Sequence, residues 1–153
     1  MKQRWLPVGV IAGALFATNV VARLIVKFGF DAKDGSQIGL GLAAFGAVAL
    51  AMIGSGFWWA RRYPTSRVTA DLGVAALVSC ALAVLVGPFL VGSRPFAEGS
   101  GTFLALVGYY LGFTGGGAIF GVLLATAFGK DWKSQAWKRY GESVRSKPRR
   151  VAR

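Results

Sequence analysis

Four long apolar runs constrain this chain more than any other feature of its sequence. They cover Leu6–Val26, Ile38–Ala60, Ala70–Gly92 and Thr102–Phe128, and short polar stretches separate them. Each run exceeds the roughly 20 helical residues that cross a hydrocarbon core of about 30 Å. The chain is 54% hydrophobic, and its charges lie between and after the runs. The sequence therefore predicts an all-α, polytopic membrane protein with four transmembrane helices.

The distribution of positive charge predicts the orientation of these helices. The N-terminus has two Lys or Arg residues, the 61–67 loop has three and the tail has nine, which together make 14 of the 18 in the chain. The positive-inside rule then places both termini in the cytoplasm, and four spans also require the termini on one side. We expect a four-helix transmembrane domain over residues 1–129 and a basic cytoplasmic tail over 130–153.

Two further expectations concern location. The high Ala and Gly content and the excess of Arg over Lys are typical of a GC-rich bacterium, which would place the chain in the bacterial inner membrane. A cleavable signal peptide is the alternative interpretation of the first run, with residues 20–22 as the cleavage site. The run is longer than a usual signal-peptide core, and Arg23 and Lys27 extend the segment.

Small residues recur at every fourth position on all four predicted helices. In the fourth run, glycines at 108, 112 and 116 form one such series, and glycines at 117 and 121 form a second. Each interior glycine weakens a helix in water by about 1 kcal/mol relative to alanine. In a bilayer, however, small residues let a second helix approach closely. The predicted helix-packing residues are Gly9, Gly13, Gly35, Gly39, Gly108, Gly112, Gly116, Gly117 and Gly121.

Few polar side chains fall inside the runs. Asn19, Arg23 and Lys27 are spaced by four and share one side of the first helix. They could pair with a partner helix or a bound anion, or the two cations could extend to the nearby interface. In the third run, Thr69 is the expected helix cap, and Asp71 is expected in the first turn or in a surface pair with Arg67.

The tail combines basic residues with a periodic apolar pattern. Trp132, Ala136, Trp137, Tyr140 and Val144 span an arc of about 140° on a helical wheel, and Lys138, Arg139 and Arg145 lie outside it. This pattern predicts an amphipathic helix on the cytoplasmic membrane surface, followed by a disordered end. An acidic partner protein is a second possible ligand, and the pattern favours nucleic acid least. The predicted binding residues are Trp132, Lys133, Trp137, Lys138, Arg139, Arg145, Arg149 and Arg150.

No motif in the sequence indicates an enzyme. The chain has no histidine, and its one cysteine, Cys80, is expected to be a small buried residue. Dinucleotide, P-loop, zinc-protease and nucleophile-elbow motifs are all missing, so we predict no catalytic, cofactor-binding or metal-binding residues. The runs also contain no carboxylate pair, which argues against a proton- or cation-coupled transporter.

Three hypotheses of function remain. The first is a non-enzymatic accessory or structural subunit that packs its small-residue ridges against helices of a larger membrane complex or of further copies of itself. The second is a homo-oligomeric pore with its constriction at Thr114 and an unwound stretch at Gly115–Gly117. The third is a plasmid- or phage-type membrane protein whose tail recruits a DNA-handling partner. The number of packing features relative to reactive groups favours the first.

Overall fold

The structure is a computed structural model. It describes residues 2–29, 34–90, 92, 96 and 99–145, and side chains at 5–25, 41–90, 92, 96 and 99–145. Within these ranges every regular element is helical. The helices are α1 (Lys2–Gly29), α2 (Asp34–Arg62), α3 (Thr65–Ala81), a π-helical stretch (Leu82–Val86), α4 (Gly87–Leu90), α5 (Ser100–Ala127) and α6 (Trp132–Arg145).

The prediction of four helices that can cross a membrane is confirmed by length and composition. Three of the candidate spans are Trp5–Ile25, Gly41–Arg62 and Thr65–Leu90, and the fourth lies in α5. The prediction for the start of the third span is wrong. That helix begins at Thr65 with Pro64 as its N-cap, so Thr69 is inside the helix and Asp71 is beyond its first turn.

The third span changes helical type just before Pro88. Proline has no N–H to donate to the carbonyl one turn earlier, and its ring crowds that carbonyl. The stretch Leu82–Val86 is a π-helix, and the N–H of Gly87 donates to the carbonyl oxygen of Leu82. The distortion next to Pro88 therefore takes the form of a widened turn within a continuous helical span.

The four spans pack as a bundle in which α2 and α3 occupy the centre. Both α1 and α5 pack against α2 and α3, which places α1 and α5 at opposite corners. On one side of α3, Val8 and Ala12 of α1 cluster with Ala75, while Arg23 reaches Gly87. Thus α1 and the third span run in the same direction, and the start of α1 lies at the same end as the α2–α3 turn.

The inside of the bundle is small, and much of the outside is apolar. Leu15, Val48, Met52 and Tyr110 are among its most deeply buried side chains. Large apolar side chains cover the outer surface instead, among them Leu6, Val10, Leu42, Leu50, Leu77, Phe89, Leu104, Ile119 and Phe120. Soluble monomers rarely expose apolar patches on this scale, whereas a hydrocarbon surround accommodates them.

Candidate functional site

Glycines bring the backbones of α2 and α5 into direct contact. A Cβ atom added at Gly117 would lie 2.6 Å from the Ala49 carbonyl oxygen, and one added at Gly56 would lie 2.5 Å from the Ala118 carbonyl oxygen. A Cβ at Gly121 would collide with the carbonyl group of Ile53. Only glycine fits at these three positions, which we call the inner glycine seam (Gly56, Gly117 and Gly121).

A second glycine series on α5 faces outward. Gly108, Gly112 and Gly116, which we call the outer glycine ridge, are exposed, and a Cβ added at any of them would meet no atom within 4 Å. Tyr109 and Phe113 form, with two of these glycines, a shallow surface groove. The described helices of this chain leave the ridge uncovered, so it is accessible to a helix from another chain.

The other predicted packing glycines belong to α1 and α2. Gly9 and Gly13 of α1 are exposed and have open space where a Cβ would lie. Gly35 and Gly39 belong to the first turns of α2, where side-chain surroundings lie outside the described residues. A role for these four glycines in binding a partner stays a prediction.

Asn19 and Arg23 form a hydrogen-bonded pair within the bundle. The Arg23 Nε atom donates to the Asn19 Oδ1 atom at 2.9 Å, and Asn19 is buried. The Arg23 guanidinium lies beside Gly87, since a Cβ added there would be 3.6 Å from Arg23 Cζ. The predicted polar stripe thus reaches the distorted end of the third span, and the side chain of Lys27 lies outside the described residues.

Asp71 is buried, which corrects the prediction of a first-turn or surface carboxylate. It is 3% exposed and accepts a hydrogen bond from Trp59 Nε1 at 3.4 Å. The predicted pairing with Arg67 is present, with Nε 3.4 Å from the same carboxylate oxygen. Arg67 also stacks over the ring of Tyr63 at 4.0 Å. This cluster links the end of α2 to the start of α3 across the turn between them.

Cations stack on aromatic rings repeatedly at the end of the bundle that contains the α2–α3 turn. Arg62 lies 4.2 Å from the ring centre of Trp58, and Arg61 lies 5.7 Å from that of Phe57. Such stacking leaves the edge of a guanidinium, with its N–H groups, free to meet an anion. We call Arg61, Arg62, Arg67 and Lys130 the basic end. The sequence contains a signal for three of these pairs, because each arginine follows its ring by four residues.

The turn from α5 to α6 is fixed by two capping motifs. Gly129 has φ +58°, the left-handed conformation that favours glycine, and its N–H donates to the Thr126 carbonyl oxygen while that of Lys130 donates to Ala125. These are the two hydrogen bonds of a Schellman motif. Asp131 then caps α6 by accepting a hydrogen bond from the Ser134 N–H at 3.2 Å.

Hydrogen bonding to Ser134, from its side chain and its backbone, lowers the pKa of the Asp131 carboxyl below its usual value. The cap therefore works best with the carboxylate ionised. In that form it also interacts favourably with the positive end of the helix dipole.

Helix α6 presents an exposed apolar face beside many cations. Four of its predicted apolar side chains, Trp132, Trp137, Tyr140 and Val144, are exposed and Ala136 is partly buried, and Trp137 meets Tyr140 edge to face. Gln135 donates from Nε2 to the Arg61 carbonyl oxygen at 3.4 Å, which attaches α6 to the basic end. The exposed cations of this helix are Lys133, Lys138, Arg139 and Arg145. Arg149 and Arg150 lie outside the described residues, and membrane contact by α6 stays a prediction.

Three polar side chains are buried in the middle of the bundle. Thr114 donates to the Tyr110 carbonyl oxygen at 2.8 Å, and Ser79 donates to the Ala76 carbonyl oxygen at 3.1 Å. The Tyr110 hydroxyl lies near Ser79 and the buried Cys80, yet it has no hydrogen-bond partner among the described residues. The unwound stretch expected at Gly115–Gly117 is not found, because α5 is a continuous α-helix there.

The rest of the described chain offers little reactive chemistry. Within those residues, no three carboxylate, thiol or imidazole groups cluster as metal ligands would. The chain matches no protein-family model, and no curated protein or solved structure is significantly similar to it. The features of this chain that bear on its function are therefore the surfaces described above.

Proposed function

We propose that the protein is a non-enzymatic structural or accessory subunit of a larger membrane assembly, and that the outer glycine ridge is the docking surface for a helix of another subunit. One observation carries this proposal. Helix α5 has two glycine series with the same four-residue spacing, and one of them is already in contact with a neighbouring helix while the other is exposed.

The inner glycine seam provides the physical reason. There, Gly117 and Gly121 let the backbone of α2 approach α5 more closely than any side chain would allow. In lipid, helices associate through such close packing, because hydrocarbon tails remove the hydrophobic drive that operates in water. An exposed series with the same spacing offers the same kind of contact to a helix from outside the chain.

We also propose that the basic end faces the cytoplasm and that α6 lies on its membrane surface. The start of α1, the α2–α3 turn and the α5–α6 turn lie at this one end, and they belong to the segments that contain 14 of the 18 Lys and Arg residues. The positive-inside rule supports this orientation. The apolar face of α6 beside its exposed cations supports contact with an anionic leaflet.

The docking surface can be tested with leucine substitutions on exposed glycines. A tagged protein is purified from its own membrane in mild detergent, and the mass and composition of the assembly are measured. We expect the unmodified chain to co-purify with a stoichiometric membrane partner. We also expect Gly112→Leu and Gly116→Leu to lose this partner while still inserting in the membrane.

Gly54→Leu is the matched control, since Gly54 is an exposed glycine of α2 that also has open space around its Cβ position. It should retain the partner. An assembly that is unchanged in both α5 variants, or that is lost equally in the control, would show that the outer glycine ridge is not the docking surface.

A further inference from the structure

An apolar cleft separates α3 from α5 in the half of the bundle near the basic end. Met52 of α2 forms its floor, Leu72 and Gly73 line one wall, and Gly115 and Ile119 line the other. The cleft has a volume of about 280 Å³ and is open on its outer side. This volume is close to the lower limit of roughly 300 Å³ for the pockets that bind small molecules.

Two glycines keep the cleft open. A Cβ added at Gly73 or at Gly115 would meet no atom within 4 Å, although both residues line the walls. The α2–α5 contact is different, because glycines at the inner glycine seam let the two backbones touch. Where α3 faces α5, the same residue type instead leaves space that neither helix fills.

The lining of the cleft determines which kind of molecule can fill it. Its one side-chain polar group is the hydroxyl of Thr69, and this already donates to the Ser66 carbonyl oxygen at 3.1 Å. A polar ligand would lose its hydration in the cleft without finding a partner there, which is unfavourable. The occupant must therefore be apolar, and an α-helix about 10 Å wide is too large for this volume.

The cations next to the cleft determine which charge is favoured on the polar head of the occupant. The cleft residues Val68 and Thr69 directly follow Arg67, and Leu123 precedes Lys130 by about two turns. Arg61 and Arg62 lie at this same end and are exposed. A molecule with an apolar part in the cleft would therefore have its head among cations, which favours an anionic head.

We propose that the cleft binds one acyl chain of an anionic phospholipid, with the phosphate headgroup at the basic end. The spans lie in hydrocarbon, so acyl chains are the apolar groups at the open side of the cleft. The cations at the basic end then select lipids with a negative headgroup. The cleft shares no residue with the outer glycine ridge, but it begins at Gly115 next to Gly116 and continues along the same face of α5 toward the basic end. The test therefore uses the chain without a partner subunit.

The test uses lipids that carry a photoreactive diazirine in one acyl chain. Full-length protein in nanodiscs receives either a phosphatidylglycerol probe or a phosphatidylcholine probe with the same chains, and the cross-linked residues are mapped by mass spectrometry. Ala118 and Val122 are the diagnostic residues, because both line the cleft and are only partly exposed. We expect the anionic probe to label them about fivefold more than the zwitterionic probe, the ratio given by one cation–headgroup contact of about 1 kcal/mol.

Two variants fill the cleft from opposite walls. Gly73→Leu and Gly115→Leu should each remove most of the label at Ala118 and Val122, while the surface control Gly54→Leu keeps it. If either filled variant fails to fold, the comparison of the two probes on the unmodified chain still decides. The proposal is overturned if both residues are unlabelled, if both probes label them equally, if both filled variants keep the label, or if the two residues cross-link to a second copy of the chain instead.

Discussion

The buried hydroxyl of Tyr110 is unusual at the scale of single residues. The side chain is 2% exposed, and its oxygen has no hydrogen-bond partner within the described residues. A buried polar group without a partner costs roughly 1–3 kcal/mol. We therefore expect Tyr110→Phe to leave the unfolding free energy unchanged or to raise it by about 1 kcal/mol. Reversible unfolding in detergent measures this change, and a clear loss of stability would instead indicate a hydrogen bond between this hydroxyl and the nearby side chain of Ser79.

The buried carboxylate of Asp71 leads to a second prediction. Breaking a buried ion pair costs about 3–5 kcal/mol when the remaining charge has no partner. Arg67 is 36% exposed, so solvent screens this pair, and we expect Arg67→Gln to cost only about 1–3 kcal/mol. The matched control is Arg62→Gln, which removes an exposed cation stacked on Trp58 and should cost less than about 1 kcal/mol. Equal losses in the two variants would contradict a special role for the Asp71 pair.

Sequence reasoning at this scale succeeded for pairing and failed for burial. The four-residue spacing of Arg67 and Asp71 correctly indicated an ion pair. The predicted exposure was wrong because the helix start was placed near Thr69, which assigned Asp71 to the membrane edge. The indole of Trp59 lies twelve residues away and belongs to another helix, so only the packing of α2 on α3 reveals this hydrogen bond.

At the scale of elements, the structure of α5 predicts opposite changes in stability when two of its glycines are replaced by alanine. Replacing an exposed helical glycine by alanine stabilises a helix by about 1 kcal/mol, and Gly112→Ala should do so. Gly121→Ala should instead destabilise the protein by roughly 1–3 kcal/mol or more, because the new methyl group collides with the backbone of α2. Unfolding of the two purified variants in one detergent measures both changes. Changes of the same sign would contradict the assignment of the two faces.

The sequence could predict the glycine spacing on α5 but not the direction of each series. Glycines at 108, 112 and 116 and those at 117 and 121 follow the same period and differ by one position, or about 100° around the helix. In an amphipathic helix, the polar residues mark the exposed face, so the buried face can be predicted from the sequence. Helix α5 is apolar on every side, so its sequence does not show which glycine series is buried, and only the position of α2 does.

The cap of α6 leads to a prediction of pH dependence. The folded-state pKa of Asp131 is lowered, so its contribution to helix stability is complete above the unfolded value of about 3.9 and is lost as the pH falls through the lower folded pKa. We expect the protection factors of amides in the first turn of α6, which compare each exchange rate with the intrinsic rate at the same pH, to fall at acid pH in the unmodified protein. Asp131→Asn keeps a capping group without its charge, so the protection factors of this variant should depend little on pH. The same acid response in both proteins would point to another titrating group.

At the scale of the whole molecule, most of the cations whose side chains the structure describes lie at one end of the bundle, and Arg23 lies toward the other. The apolar runs were enough to predict four spanning helices, because a segment in hydrocarbon must satisfy its backbone hydrogen bonds internally, as an α-helix does. Their packing order was not predictable, since small residues on all four helices fit many arrangements. The cleft between α3 and α5 was missed for the same reason, because it depends on three helices that meet at Gly73, Gly115 and Met52.

The basic end leads to a final prediction about α6 in the intact protein. Cations near an anionic surface contribute about 1 kcal/mol each, and salt weakens this attraction over a screening length of about 8–10 Å. We therefore expect amides of α6 to exchange more slowly in nanodiscs of anionic lipid than in zwitterionic ones, and we expect added salt to reduce the difference.

Trp137→Ala should lower protection in both lipids, because it removes an exposed apolar side chain from the face expected to enter the membrane. Lys138→Gln, which removes an exposed cation outside the apolar arc, should reduce only the difference between the lipids. If lipid charge has no effect on exchange in α6, its exposed face is more consistent with docking on a partner protein than with anchoring to the membrane.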